Sequence, residues 1–400
     1  MPVPATPDPG RYWHAVDHDP AIRAQSASEL VGDPSHRATE QLVTLAQRDP
    51  DPTVRAAATG AIAERRDEGL DDVLVATRDS DPDPHVREAA AAAHAKLWPW
   101  GKQPRTAAGL SLLCPGCGQI YLHEYGDGIA KLVTTAALFG TGYALTVGHT
   151  VSLDTGSDSA KLPIGTELLL LGQNLWFYSI FDAYRDARVL RGDVGYKHSI
   201  THESLGKLAS APFDPSVLKS PWVWAGVPAA LALGLGMSYL ASPDSFTSTP
   251  MHPSIFDVNS VNVLGHKFGR ASGYAAGNLY FAGLFSGVGV GEESLFRGLI
   301  QTELEERLGT WGGLAAGSAI FGAVHFFNYA APGADPKQAL IAVPTIAVLG
   351  STLGLAYIKT GHKLSTGVAM HFWYDFLLSA TAFAFDPTHQ PFVVQVSSTM

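Results

Sequence analysis

Between residues 106 and 386 the chain returns repeatedly to apolar runs of about 18–22 residues, long enough to cross a lipid bilayer as helices. Within hydrocarbon each backbone N–H and C=O must find its partner inside the protein, so runs of this length fold as helices. They fall at about 130–152, 163–184, 221–241, 271–291, 312–329, 337–358 and 364–386, which predicts seven spans. Residues 1–105 read differently, with much of the charge and many Asp-Pro pairs. The expected architecture is therefore all-α: a helical-repeat domain over 1–100, then a polytopic α-helical membrane domain. Whole-chain averages of 16% charged and 46% hydrophobic residues blur this division. The formal charge of −10 comes with no basic patch, which argues against nucleic-acid binding. The opening MPVPATPDPGRYW lacks a basic stretch followed by an apolar one, so no cleavable signal peptide is expected.

The first hundred residues repeat. Asp19-Pro20-Ala21-Ile22-Arg23, Asp51-Pro52-Thr53-Val54-Arg55 and Asp83-Pro84-His85-Val86-Arg87 share one pattern at a spacing of 32 residues, each ahead of an Ala-rich stretch. Proline suits the first turn of a helix, and an Asp before it caps the exposed N–H groups. A period near 30 marks an α-solenoid. The segment resembles HEAT repeats, which implies a domain that binds a protein partner.

Residues 106–125 are too short and too broken, at Pro115 and Gly116, to cross alone, so a re-entrant or interfacial turn is expected. Pro115-Gly116-Cys117-Gly118-Gln119-Ile120-Tyr121, with Phe181-Asp182-Ala183-Tyr184-Arg185 further on, makes 106–185 resemble small TM2-like membrane modules. Cys114 and Cys117 supply two ligands at most, and two cysteines build no disulfide framework, so they are read as incidental to a tight turn, with a redox pair or half a metal site as the alternative. The connection 185–219 carries Arg185, Arg188, Arg191, Lys197, Lys207 and Lys219, and by the positive-inside rule it is cytoplasmic, as are the Arg297/Arg307 and Lys359/Lys363 turns. The loop 242–270 then faces outward. With seven spans and the basic flank at Lys102 and Arg105, the repeat domain is cytoplasmic.

Three short polar patterns lie in the last apolar segments: Glu292-Glu293-x-x-x-Arg297, Phe321-x-x-x-His325 and His371-x-x-x-Asp375. Residues four apart share a helix face. Ionisable side chains at membrane depth are costly and point to function. The helix between the second and third patterns offers Ser351 and Gly354 as small residues for close packing.

In this order on successive helices, the three patterns resemble the CPBP family of intramembrane proteases, which includes the CAAX prenyl endopeptidases and bacterial Abi proteins, over about residues 220–386. The resemblance implies an endopeptidase in which Glu292 and His325 activate water while His371 and Asp375 serve the oxyanion. Many members carry Asn where this chain has Asp375. Glu292, desolvated in a membrane cavity, suits general-base work, and Arg297 is assigned to neutralise Glu293. No cofactor is implied; the alternative is zinc held by Glu292, His325 and His371.

The leading expectation is thus an integral membrane endopeptidase in a bacterial inner membrane, acting on a protein or peptide substrate within membrane lipid. The competing one is a non-enzymatic scaffold or self-protection protein that works through its repeats and loses its phenotype when 1–100 is deleted. His149, His266 and His362 are expected to be solvated, and Glu303, Glu305 and Glu306 to form an exposed helix face. Trp98, Trp100, Trp222 and Trp224 are expected to be interfacial anchors.

Overall fold

The computed structural model describes residues 10–65, 70–97, 103–149, 159–191, 203–241, 254–329 and 336–387, with short pieces at 151–152, 156–157, 193 and 196–199. Trp98, Trp100 and Lys102 lie outside the described residues, as does 242–253 of the loop expected to face outward. The chain divides into two compact units, one of residues 1–104 with 186–196, the other of 105–185 with 197–400.

In the first unit, α1 (Gly10–His14), α2 (Pro20–Glu29), α3 (His36–Arg48), α4 (Pro52–Arg65), α5 (Asp71–Ser80) and α6 (Pro84–Leu97) form the solenoid. The Asp-Pro starts behave as their chemistry dictates. Asp19, Asp51 and Asp83 each accept the backbone N–H two residues on, at 2.9, 2.8 and 2.8 Å. The arginine four residues later turns back onto the chain, donating to the carbonyls of Asp17, Asp49 and Asp81 respectively. In the first two repeats its other edge then reaches forward into the next one. Arg23 grips Asp49 with both arms at 2.8 and 2.9 Å, and Arg55 grips Asp81 with the same distances. Between the helices, Leu30, Leu42, Val54, Ala58, Ile62 and Leu74 form a continuous buried core.

The second unit opens with α7 (Pro104–Leu113), a turn, α8 (Cys117–Tyr121), α9 (Tyr125–Thr146) and α10 (Lys161–Leu190), whose last turn belongs to the first unit. The turn differs from expectation in one respect. Gly116, at φ 86°, folds the chain back so that the Cys117 N–H donates to the Cys114 carbonyl, and the cysteines, with Cα atoms 5.4 Å apart, are joined as a disulfide. Behind it, Gln119, Lys131, Asp182 and Arg185 are buried together, with Asp182 accepting from the other three. Asp127, also bonded to Lys131, supplies the second negative charge, so that the charges cancel locally as a low-dielectric setting requires.

After α11 (Leu205–Ser210) and α12 (Pro215–Leu218), the large helices are α13 (Pro221–Ala241), α14 (Arg270–Glu293), α15 (Thr302–Val324), α16 (Pro336–Lys359) and α17 (Leu364–Phe385). A small hairpin, β1 (Val151–Ser152) with β2 (Gly156–Ser157), precedes α10. A second, β3 (Ser260–Val263) with β4 (His266–Gly269), precedes α14 and turns at Leu264-Gly265, both at positive φ as a tight two-residue hairpin demands. Each of the seven expected spans coincides with a helix. Among the described residues, Tyr125–Thr146, Ala339–Lys359 and Leu364–Phe385 are by themselves long and apolar enough to cross a membrane. Trp224 is exposed at the start of α13, its indole N–H on the Leu218 carbonyl.

Candidate active site

The site is built on one long helical path. α14 runs without a break into a π-helical stretch, Ser294–Gln301, and on into the first turns of α15. Such stretches hold more residues per turn than the α-helix and re-aim the side chains on them. Thr302 satisfies the widened turn by donating to the Arg297 carbonyl five residues back, at 2.9 Å.

At Gly309 the path reverses. Its φ of 74° and ψ of 167° divide α15 into a short arm and a return arm, a conformation that glycine alone takes without strain. The return arm packs closely against the path just left. A Cβ on Gly313 would lie 2.4 Å from the Glu305 nitrogen, and one on Gly317 would lie 3.2 Å from the Gln301 Cβ. These two contacts set an antiparallel register that continues to Phe321 beside Arg297, whose guanidinium lies 4.2 Å from the ring centre. One turn further, the same register brings His325 level with the two glutamates. The small residues that fix it are visible in the sequence; the reversal at Gly309 is not.

α17 approaches α14 from the other side. A Cβ on Gly367 would lie 2.7 Å from Glu293 Oε2, and one on Gly289 would lie 3.1 Å from the Val368 carbonyl. That close approach delivers His371 and, one turn on, Asp375. α16 closes the group, with Gly350 and Gly354 rather than Ser351 at the tightest contacts: Arg297 donates to the Gly350 carbonyl at 3.0 Å and Gln301 to that of Gly354 at 3.3 Å.

All seven residues of the three patterns meet. Glu292 Oε2 stands 3.9 Å from His325 Nε2 and 3.8 Å from His371 Nε2, and it has no hydrogen-bond partner among the described residues. These separations exceed a direct hydrogen bond. His325 Nδ1 is 2.7 Å from the Phe321 carbonyl, which can only accept. The proton is therefore on Nδ1, and Nε2 is the nitrogen that faces Glu292. His371 lies between carboxylates, with Nδ1 2.9 Å from Glu293 Oε1 and Nε2 3.3 Å from Asp375 Oδ2. Arg297 faces Glu293 Oε1 at 3.1 Å as an ion pair without hydrogen-bond alignment. Glu293 thus serves two partners, where the sequence suggested Arg297 alone.

A second set of residues, unmarked by any motif, holds this framework. Glu305 is buried and bonded to Lys197, Gln301 and His362, with the last two at 2.8 and 3.1 Å. This corrects the expectation for Glu305 and for a solvated His362, since the reversal at Gly309 folds the short arm inward, whereas Glu306 is exposed as expected and Glu303 is half-buried. The Tyr357 hydroxyl lies 2.8 Å from Thr302 Oγ1 and 2.7 Å from His198 Nε2, and burial pushes the His198 imidazole down to about 3. Buried Glu203 accepts the Leu364 and Ser365 N–H groups at 2.6 and 3.2 Å, capping the helix that carries His371. None of these residues lies in a repeated or spaced pattern, so the sequence offered no signal for them.

His325, His371, Asp375, Thr352 and Tyr374 share the wall of a cavity of about 210 Å³ with aliphatic residues of α16 and α17. Glu292 lies outside that wall and reaches it through the two imidazoles. Zinc held by Glu292, His325 and His371, the alternative, would need a lone pair on His371, whose nitrogens lie 2.9 Å from Glu293 Oε1 and 3.3 Å from Asp375 Oδ2; no group of three or more His, Cys, Asp or Glu placed to hold an ion occurs among the described residues.

Residues 275–377, which include every residue of the three patterns, match the family described as Type II CAAX prenyl endopeptidase Rce1-like. Residues 12–95 match HEAT repeats. No curated protein and no solved structure matches the chain.

Proposed function

We propose that this chain, an integral membrane protein joining HEAT repeats to an Rce1-like domain, is an intramembrane endopeptidase that hydrolyses peptide bonds with a glutamate-activated water. The observation that carries the reading is the unpartnered Glu292 Oε2, 3.9 and 3.8 Å from the Nε2 atoms of His325 and His371. In this reading Glu292 takes a proton from the water as it attacks the scissile carbonyl. His325, whose Nε2 faces Glu292, then takes that proton from Glu292 and hands it to the leaving amine as the C–N bond breaks, which returns Glu292 to its carboxylate form. His371, braced between Glu293 and Asp375, donates toward the developing oxyanion. A carboxylate at Asp375 orients that ring, a task an amide in its place would share with direct donation.

In the same reading the active site works without metal, and the HEAT unit lies on the cytoplasmic side of a bacterial inner membrane, a side supported by the basic 185–219 connection. Its repeats present the substrate or a partner protein. The test is cleavage of a candidate peptide by protein reconstituted in bilayers. Glu292→Gln should lower the rate about 10²- to 10⁴-fold with membrane insertion unchanged, as loss of a general base does. His325→Ala should fall in the same range. Cleavage by both variants at the unmodified rate overturns the assignment, and inhibition by a chelator overturns its metal-free part.

A further inference from the structure

The Arg–Asp ladder of the solenoid stops with a half-rung at each end. Arg23 grips Asp49 and Arg55 grips Asp81, each pair nearly buried. Arg87 occupies the third position. It donates through Nη1 to the Asp81 and Pro82 carbonyls, as its counterparts do to theirs, but its outward edge meets no carboxylate among the described residues. Of the 186–196 segment, which joins this unit, the Val189 carbonyl is taken by Arg78. The chain has no aspartate to offer at the next step, since the position 26 residues beyond Arg87 is Leu113.

The helix face behind Arg87 is open as well. In α4, Arg55, Thr59 and Ala63 are buried, whereas the matching Ala91 and Ala95 of α6 are exposed and Arg87 is half-buried. At the other end of the solenoid, Asp17 holds the place that Asp49 and Asp81 hold later. Its carboxylate accepts the Asp19 N–H at 2.9 Å, just as Asp49 and Asp81 accept from Asp51 and Asp83, yet no arginine side chain among the described residues grips it. Beside it the large apolar side chains of Trp13 and Val16 are 73% and 65% exposed.

We infer that the HEAT unit associates head to tail with a second copy of this chain, Arg87 of one copy closing a rung on Asp17 of the next. The two ends are complementary in charge, and the two internal rungs supply the template for the pair. Trp13 and Val16 bring the apolar surface that the open small-residue face of α6 lacks. Because the two surfaces differ, the contact is heterologous and extends to rows or rings.

The test is the oligomeric state of the full-length protein in detergent and in bilayers, by sedimentation and by mass measurement on single particles. Unmodified protein should show dimers and larger species that grow with concentration. Arg87→Asp and Asp17→Arg should each weaken self-association at least about tenfold, while an equimolar mixture of the two variants should recover it. In that mixture the introduced carboxylate of one variant meets the introduced guanidinium of the other, and the native pair also re-forms, so recovery reports the contact itself and not the folding of either variant. A chain that stays monomeric at every concentration overturns the inference. So does an Arg87→Asp variant that associates like the unmodified protein, or a mixture that fails to recover.

Discussion

At the scale of single residues, the division of labour between the two adjacent glutamates governs the site. Glu292 is left without a hydrogen-bond partner among the described residues, while Glu293 is held by Arg297 and His371. The spacing of four residues makes the Glu293–Arg297 pair legible from the sequence alone. The second tie, from Glu293 to His371 across 78 residues, is not, because nothing in a linear pattern says which of two imidazoles a carboxylate will meet. Arg297 is 2% exposed and also engages the Gly350 carbonyl and the Phe321 ring. Arg297→Ala would leave buried Glu293 with His371 as its remaining partner, at a cost of up to about 3–5 kcal/mol. The expected outcome is a clear loss of thermal stability of the detergent-solubilised protein. Arg297→Lys, which keeps the charge but not the planar fork, should recover part of it. Equal melting of all three proteins would remove Arg297 from the framework.

At the scale of elements, the active residues owe their meeting to register. The hairpin at Gly309 aligns Gly313 with Glu305 and Gly317 with Gln301, and this alignment carries His325 to the glutamates. A Gly313→Val change adds side-chain atoms where even a Cβ would lie 2.4 Å from backbone, so the return arm must move away. Overpacking of this kind costs about 1–3 kcal/mol, and a shift of ~1 Å in a catalytic group lowers rate about 100-fold. Peptide cleavage should therefore fall by about that factor in a protein that still inserts, and an unaltered rate would show that the hairpin does not set the site. Apolar run length and the three motif spacings were enough to locate the helices and the candidate residues. The π-helical stretch at Ser294–Gln301 was out of reach, because one widened turn leaves no mark on hydrophobic periodicity. Glu305 misled for a related reason: a charged run reads as a solvated face unless the fold-back that buries it is known.

At the scale of the whole molecule, the chain pairs a polar solenoid tied by ion pairs with a helical unit whose charges are mostly matched inside it. Arg55 holds the Asp81 carboxyl below the usual carboxylate range through its two hydrogen bonds. A carboxylate depressed on folding contributes stability that is complete above its unfolded value, near 4, and fades as pH falls through the folded one. The solenoid amides should accordingly keep their hydrogen-exchange protection at neutral pH and lose part of it below about pH 4. Arg55→Ala should cost roughly 2 kcal/mol at neutral pH and flatten this acid dependence; an unchanged acid profile would show that the ladder is not its source. The repeat period exposed this unit in the sequence, but its full extent was hidden, because residues 186–196 join it from beyond a long intervening stretch of chain. The solenoid is consequently no cassette that evolution or an experimenter can lift out at residue 100. Removing the first hundred residues strands a piece of the same unit in mid-chain, with the Val189 carbonyl deprived of Arg78. Exchange between relatives has to carry both pieces together or rebuild the second.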